Sequence, residues 1–377
     1  MKVRRLWAVA WKEFLHISRD PRSLFLAVAM PMVLLMLFGY ALSQDVDNVP
    51  IVILDWNETV QSRNLIAKFS GSKYFRIIGQ TKNYRELENL INKREAFAAL
   101  IIPPDFGSLV DSGRSVSVQM ILDGSDANTA TIAAGYGEAV VSGFSQDLTT
   151  KWVLLSGGKR LAQPFDIRSR TWYNPDMVSR NSIIPGLMGV ILMILAALLT
   201  PLTIAREWET GTMEQLISTP VKGPELILGK LLPYFIIGMV DVSLAVAVSR
   251  VAFAIPLKGS LMDVLSISAM YLAGGLSLGI LISVVTKNQL LANQIAMLLT
   301  FLPAMMLSGF ITPICNMPDF IQYITNLFPA RFYVTLIKGI YLKGLGIEMM
   351  PYETGLLAIY GMLMVGLSVV IFRKRLS

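Results

Sequence analysis

Few residues of this sequence have types and spacings suited to covalent or metal chemistry. It contains one histidine, His16, and one cysteine, Cys315, too few for an internal disulfide, a thiolate cluster or a histidine-rich metal site. Asp123 and Asp126 in LDGSDAN could bind a cation, but this pattern is more typical of a turn followed by a helix N-cap. The sequence therefore predicts neither a metal site nor a catalytic nucleophile.

A nucleotide site is also unsupported by the sequence. The nearest approach to a phosphate-binding loop is GPELILGKL at 223–231, which has the wrong spacing and places Leu231 where Ser or Thr would bind magnesium. We expect no cofactor bound by this chain. If ATP drives its activity, the ATP and magnesium must be bound by another subunit.

The elements that position the remaining polar residues are mostly apolar. The chain has 377 residues, of which 54% are hydrophobic and 16% charged, against about 25% charged in soluble domains. About 20 apolar residues cross a bilayer. Six predicted spans meet this requirement: 23–44, 181–205, 231–249 (apolar except for Asp241), 264–286, 288–318 and 354–372.

Basic residues near the span ends predict the orientation. Lys and Arg are more numerous at the ends that share a side with the N-terminus, at 2–22, 206–230, 287 and 373–375, than at the opposite ends. The positive-inside rule then places both termini in the cytoplasm. The net charge of +7 is read as a topology signal and not as a nucleic-acid surface. A cleaved signal peptide is disfavoured, because the first apolar run is too long and lies too far from the N-terminus.

Residues 1–22 are predicted to form an interfacial amphipathic helix, and residues 23–44 the first transmembrane helix. In VRRLWAVAWKEFLHISR, apolar and aromatic residues recur at helical spacing with basic residues between them, which suits an aromatic face in lipid headgroups. Simple membrane anchoring and docking of a partner are equally open interpretations. Pro21 should end this helix before the first span.

Residues 45–178 are predicted to form an extracytoplasmic α/β domain. VPIVILD, YFRIIG, AFAALII and SVSVQMILD are strand-like, and NYRELENLINKR and the long stretch from 126 to 154 are helix-like. Residues 179–377 then hold spans two to six. Three prolines within 311–333 predict short re-entrant or interfacial helices on the outer side of the membrane.

The stretch AREWETGTMEQLISTP follows the second span directly. Its turn, capping and helix-ending residues predict a short helix across the inner face of the membrane. Gly211 permits a sharp turn, Thr212 with Gln215 has the capping-box spacing, and Pro220 follows the helix end. Trp208, Leu216 and Ile217 could anchor this helix. Glu207, Glu209 and Glu214 would then face water or a partner. A plain intracellular turn is the alternative.

This stretch resembles the cytoplasmic signature of ABC-2 type permeases, the membrane subunits of ATP-driven exporters, and LSGFITPICNMP followed by FPARFY is similar to their motif after the fifth span. The resemblance covers essentially the whole chain and is closest to the bacterial multidrug-type branch. It implies a coupling helix at about 206–220 that sits in a cleft of the ATPase subunit. The implied coupling residues are Arg206, Glu207, Glu209, Gly211, Thr212, Glu214 and Leu216.

The resemblance also implies an assembly and a location. An ABC ATPase subunit would bind ATP and magnesium, and a second permease chain, identical or paralogous, would complete the unit in the bacterial inner membrane. Membrane lipid and a periplasmic adaptor are further expected partners. The expected function is export of a hydrophobic or amphipathic, drug-like substrate. The alternative is a non-transporting membrane sensor that uses the extracytoplasmic domain.

Asp241 is the one acidic residue predicted near the centre of a span, where a carboxylate costs about 2.5–3.5 kcal/mol to insert. Two interpretations are equally open. It could lie on the translocation path or at a dimer seam and contact a cationic substrate. It could equally be a protonated acid, hydrogen-bonded to Ser243 or to a Ser or Thr on another span.

Overall fold

The structure is a computed structural model that describes residues 2–41, 46–155, 172–174 and 178–372. The chain divides into two compact units, Met1–Gln44 with Arg170–Ser377, and Asp45–Ser169. The end of the first predicted span at 42–44 and the basic residues at 373–375 lie outside the described residues.

The chain begins with an amphipathic helix that leads into an apolar helical run. The segments are α1 (Val3–Arg19), α2 (Pro21–Leu24), a π-helical turn (Phe25–Ala29) and α3 (Met30–Ala41). Asp20 is extended and Pro21 starts the next helix, so the predicted break is confirmed. Trp7 and Trp11 are exposed as expected, but Ala10, predicted on the same face, is buried.

The second unit combines a small sheet with helices. Its elements are β1 (Val49–Asp55), α4 (Val60–Ser70), β2 (Phe75–Thr81), α5 (Tyr84–Asn92), β3 (Ala98–Ile102), α6 (Phe106–Asp111), β4 (Gln119–Leu122) and α7 (Ala127–Leu155). The strand order is β2-β1-β3-β4, with β1 parallel to β2 and β3, and β4 antiparallel to β3. β1 and β3 are buried along almost their whole length, as expected of central parallel strands.

The two aspartates of LDGSDAN form a turn and a helix cap. Asp123 Oδ1 accepts the backbone N–H of Ser125 at 2.9 Å, and Asp126 Oδ1 accepts the N–H groups of Asn128 and Thr129, each at 3.2 Å, at the start of α7. The described residues contain no group of His, Cys, Asp and Glu that could hold a metal ion. The hydrogen bonds to Ser125, Asn128 and Thr129 confirm the turn-and-cap interpretation.

The rest of the first unit is helical. Its main elements are α8 (Arg180–Leu199), α9 (Pro201–Glu209), α10 (Thr212–Ser218), α11 (Gly223–Val251), α12 (Leu261–Thr286), α13 (Gln289–Ala296), a π-helical turn (Met297–Phe301), α14 (Leu302–Met306), α15 (Asp319–Thr325), α16 (Pro329–Lys338), a second π-helical turn (Gly339–Lys343) and α17 (Pro351–Ile371). Short 3₁₀ turns occupy Ile314–Asn316 and Ile347–Met349.

Within the described residues, five helical stretches are long and apolar enough to cross a membrane: Arg180–Glu209, Gly223–Val251, Leu261–Thr286, Gln289–Met306 and Pro351–Ile371. They overlap predicted spans two to six, but the stretch within predicted span 288–318 ends at Met306. The first predicted span contains a shorter apolar helix, Ala27–Ala41.

The predicted outer segment at 311–333 has two different parts. Its first part holds α15, whose Phe320 and Tyr323 are exposed. Its last part belongs to α16, a buried helix whose Tyr333 ring stacks on Tyr271 of α12 at 4.3 Å between centroids. The end of this segment is therefore part of the helical core, and the membrane depth of α15 stays a prediction.

A joint between α8 and α9, at Thr200 and Pro201, interrupts the stretch Arg180–Glu209. The first N–H groups of a helix lack intrahelical partners, and here Ile204 and Ala205 donate theirs to Ser283 Oγ of α12 at 3.1 and 2.8 Å. The Ser283 hydroxyl donates to the Pro201 carbonyl. A Cβ on Gly279 of α12 would come within 2.1 Å of Thr200 Oγ1, so only glycine allows this approach. The joint is thus held by a neighbouring helix.

Candidate coupling site

A left-handed turn at Gly211 redirects the chain after α9. Gly211 has φ of +74°, a conformation that glycine adopts without a Cβ penalty, and α10 begins at Thr212. The predicted capping box is wrong, because Gly211 occupies the N-cap position. The Thr212 hydroxyl instead lies 3.4 Å from the Glu207 carbonyl, to which it donates, and 3.1 Å from Thr210 Oγ1. Thr212 closes the turn and does not cap the helix.

One face of α10 is anchored on an apolar cluster. Met213 is only 1% exposed, and Trp208, Leu216 and Ile217 pack against the same cluster as predicted. The buried members are Val9, Ile204, Met213, Leu226, Ile227, Ile280 and Phe372. This packing fixes a helix of only seven residues that would not be stable alone.

The outward face of this region is polar. Arg206, Glu209, Gly211 and Glu214 are exposed, whereas Leu216 and Thr212 are half-buried. The Glu214 carboxylate makes no hydrogen bond or ion pair within the described part of the chain, so it is available to another molecule.

Glu209 is exposed but already engaged within the chain. Its carboxylate accepts the backbone N–H of Gln289 at 2.8 Å and the Gln289 side-chain amide at 2.5 Å, at the start of α13. Next to it, Lys287 Nζ lies 4.5 Å from the centre of the Trp208 ring. Glu209 thus links α9 to the α12–α13 connection, a role that the sequence did not indicate.

Glu207 does not face water, contrary to the prediction. It is 8% exposed, and its Oε1 lies 3.0 Å from Lys230 Nζ and 3.2 Å from Lys12 Nζ. Lys230, itself 2% exposed, also contacts Glu13 Oε2 at 3.1 Å. Tyr234 donates its hydroxyl to Glu13 Oε1 at 3.0 Å. We call Glu13, Glu207, Lys230 and Tyr234 the acid–lysine cluster.

The acid–lysine cluster joins three elements that are remote in sequence. Glu13 comes from α1, Glu207 from α9, and Lys230 and Tyr234 from α11. A buried charge is tolerated only when it is paired and hydrogen-bonded. Lys230 meets this condition because it contacts one acid from each of the other two helices. The cluster therefore fixes α9, which leads into α10, to the amphipathic helix.

Sequence reasoning missed this cluster because Lys230 counted only as a basic residue near a span end. One signal was present. Glu13 lies on the same helical face as Val9, Ala10 and Ile17, all of which are buried. An acidic residue on an otherwise apolar face needs a cationic partner, and Lys230, at the edge of an apolar run, was a suitable candidate.

The N-terminus of α1 also contacts the segment after α10. The backbone N–H of Lys2 donates to Glu225 Oε1 at 2.6 Å, and Arg5 donates to the Pro220 carbonyl. α1 therefore contacts both ends of the α9–α10 segment, through the acid–lysine cluster at one end and Pro220 at the other.

Asp241 lies in the middle of α11 and is 1% exposed. Neither of its carboxyl oxygens has a hydrogen-bond partner within the described residues. The Ser243 hydroxyl, one of the predicted partners, donates to the Met239 carbonyl instead. The space around Asp241 is lined by apolar side chains of α3, α8 and α11, and its volume of about 10 Å³ barely reaches the size needed for one water.

The comparisons with known proteins agree on one family. Residues 21–370 match the family described as "ABC-2 family transporter protein". The chain is 35% identical to the "Probable multidrug ABC transporter permease YbhS" of Escherichia coli strain K12, over 90% of this chain and 89% of the relative. It is 29% identical to YbhR of the same strain, described in the same words, over 91% of both chains. It is 26% identical to the "Inner membrane transport permease YhhJ", over 83% of this chain and 82% of the relative.

Proposed function

Because the chain belongs to the ABC-2 transporter family, it is a permease subunit of an ABC transporter, and we propose that it exports a hydrophobic or amphipathic, drug-like compound. The support for the substrate class is the apolar character of the long helices and the word "multidrug" in the descriptions of YbhS and YbhR. The members of this family are membrane subunits and not ATPases, so this chain is not itself the enzyme.

The α9–α10 segment is the proposed docking site for a separate ATPase subunit, which would bind ATP and magnesium. One observation carries this assignment: Glu214 presents an unpaired carboxylate on a short helix that is held rigidly by an apolar cluster. A coupling helix must be packed firmly against the spans, since it has to transmit movement of the partner to them. Through Glu207, the acid–lysine cluster would pass it to α1 and α11.

Two permease chains, identical or paralogous, would form the working unit in the bacterial inner membrane. The bias of basic residues supports cytoplasmic termini, with the α/β unit outside. A periplasmic adaptor could bind there. For a test of orientation, Cys315→Ser provides a cysteine-free chain, and Ser112→Cys should then react with a membrane-impermeant reagent from outside, and Thr219→Cys only from the cytoplasm. The reverse pattern contradicts this orientation.

Asp241 is the proposed contact for a cationic substrate. The structure gives it no hydrogen-bonding partner in the described residues, and a buried polar group without a partner costs stability that packing alone does not justify. In the present conformation it is enclosed, so a substrate could reach it only after α3 separates from α8 and α11.

The decisive experiment reconstitutes the full chain with its ATPase in proteoliposomes. We expect the two subunits to co-purify, and we expect ATP to drive uptake of an amphipathic dye into vesicles whose ATPase faces outward, which corresponds to export. A chain that binds no ATPase would support the sensor alternative. ATP-driven movement in the opposite direction would show an importer.

A further inference from the structure

A basic cleft lies where the chain enters its first apolar run. It has a volume of about 730 Å³ and is open to the surface between the C-terminal half of α1, the start of α2 and the end of α9. The acid–lysine cluster lies under its floor, because Lys12 of the cleft contacts Glu207.

The charged groups of the cleft are mostly cationic. Lys12, Arg19 and Arg206 line it together with His16, and Asp20 is the one acid in its lining. Lys12 is paired with Glu207 but is still half exposed. His16, Arg19 and Arg206 are all exposed, and none of their side chains makes a hydrogen bond or ion pair within the described part of the chain. Two guanidinium groups, one from α1 and one from α9, thus line the same cleft.

The walls of the cleft indicate that its occupant is a lipid. Trp11 forms one wall, and its ring stacks on Phe14 at 5.9 Å on the exposed aromatic face of α1. Pro21, the first residue of the apolar run, forms another. Tryptophan prefers the headgroup level of a bilayer, and a cleft at that level would hold its cationic groups near the lipid phosphates.

We propose that this cleft binds the headgroup of an anionic phospholipid, with its phosphate between Arg19 and Arg206. A guanidinium group binds two phosphate oxygens at once, which lysine cannot do. A lipid in this position would connect α1 to α9 beside the acid–lysine cluster. This proposal does not depend on transport, since it concerns only the permease chain and the membrane around it.

Native mass spectrometry of the full chain in detergent tests this proposal without ATPase or substrate. The protein is equilibrated with equal amounts of phosphatidylglycerol and phosphatidylcholine that have identical acyl chains. We expect the wild type to retain phosphatidylglycerol preferentially. Arg19→Gln with Arg206→Gln should weaken that preference about 30-fold, which corresponds to about 2 kcal/mol for two basic residues at a membrane surface.

Two further variants provide the controls. Arg76→Gln with Arg85→Gln removes the same charge from exposed positions of the α/β unit and should leave the preference unchanged. Arg19→Lys with Arg206→Lys keeps the charge but loses bidentate binding, so its preference should lie between those of the wild type and the glutamine variant. The thermal unfolding midpoint of each variant confirms that it is folded.

Several results would overturn the proposal. Equal retention of the two lipids by the wild type, or an undiminished preference in the Arg19→Gln, Arg206→Gln variant, would show that the cleft is not a lipid site. Displacement of phosphatidylglycerol by millimolar glycerol 3-phosphate would assign the cleft to a free anion. Unchanged lipid preference together with lost ATPase co-purification would assign it to the ATPase.

Discussion

Lys230 and Asp241 are two buried ionisable residues on the same helix, about 16 Å apart at 1.5 Å per residue. Their surroundings are opposite in polarity. Lys230 contacts Glu13 and Glu207 at 3.1 and 3.0 Å, whereas Asp241 has apolar neighbours only and no hydrogen bond within the described residues. The charge near the end of the helix is fully compensated by other elements. The carboxyl at its middle is not.

This difference separates two purposes of buried charge. A paired charge with partners on three helices holds those helices together, and its removal leaves the partners without compensation. An unpaired carboxyl in an apolar site stabilises nothing around it, and no partner offsets the cost of its burial. Lys230 is thus suited to assembly of the cytoplasmic end, and Asp241 to a state of the protein in which its surroundings change.

The largest effect is expected from Lys230→Met, which tests the first half of this comparison. Glu13 would lose its cation and Glu207 would keep only the half-exposed Lys12, at a cost of about 3–5 kcal/mol. We expect poor expression and a strongly lowered midpoint of thermal unfolding in detergent. Adding Glu13→Gln and Glu207→Gln should restore most of the stability, since the charges are then removed together. A single Lys230→Met variant as stable as the wild type would show that the cluster holds nothing.

Glu214→Lys reverses the charge of an exposed, unpaired acid, in contrast to the buried and paired Glu207. We expect normal insertion and stability, because Glu214 is exposed without a partner, but about a tenfold or greater loss of ATPase association and ATP-driven transport. Glu348→Lys, at another exposed acid, is the matched control and should leave both unchanged. The double change of Glu209 and Glu214 to Lys should also uncouple hydrolysis, but it breaks the contact with Gln289 as well. Unchanged association in Glu214→Lys would contradict the docking assignment.

Asp241→Asn tests the second half of the comparison, the unpaired carboxyl in the middle of α11. Because the carboxyl makes no hydrogen bond, an amide of the same shape should leave expression and unfolding almost unchanged, within about 1 kcal/mol. Transport of cationic dyes should fall while transport of neutral dyes is spared. If both fall together with expression, Asp241 is a structural residue and the substrate path lies elsewhere.

The smallest effect is expected at Asp126, an exposed acid whose carboxylate accepts hydrogen bonds from neighbouring residues of the chain. Hydrogen bonds from Thr129 hold the pKa of the Asp126 carboxyl below its ordinary value. Its contribution to stability is therefore present above that ordinary pKa, near 3.9, and is lost as the pH falls through the lower folded-state value. Asp126→Ala should speed hydrogen exchange of the Asn128 and Thr129 amides at pH 7, and the difference from wild type should vanish in acid. Asp126→Asn, which can still cap, should behave more like the wild type at pH 7; equal exchange rates in all three chains would exclude a capping role.

The sequence was most informative where the relevant interactions are local. Apolar runs located five long helices, and each strand-like stretch overlaps one strand of the sheet, although β2 continues two residues beyond YFRIIG. Asp126 was recognised as a cap because its partners lie two and three residues away. Periodicity and composition depend on neighbours in the chain, so they predict elements well.

The candidate site was predicted less well, because its contacts are long-range. The short helix after Gly211 and its apolar anchors were predicted, but three glutamates that look equivalent in sequence have three different environments. Glu207 is buried against Lys230, Glu209 binds Gln289, and Glu214 is free. Those environments are set by α1, α11 and α13, whose positions around α9 follow from the packing of the whole helical unit and not from spacing within the motif.

The joint at Thr200 and Pro201 makes α9 a short lever. Its nine residues extend about 13 Å from the joint. Because Ser283 binds two N–H groups near the base of α9, α9 could tilt there without leaving those groups unpartnered, provided that the α1 and α11 contacts of Glu207 move with it. A tilt of about 10° there would displace the far end, at Glu209, by about 2 Å. A small movement of the proposed ATPase subunit would therefore be enough to tilt α9, provided that it acts at the Glu209 end, where the chain turns into α10.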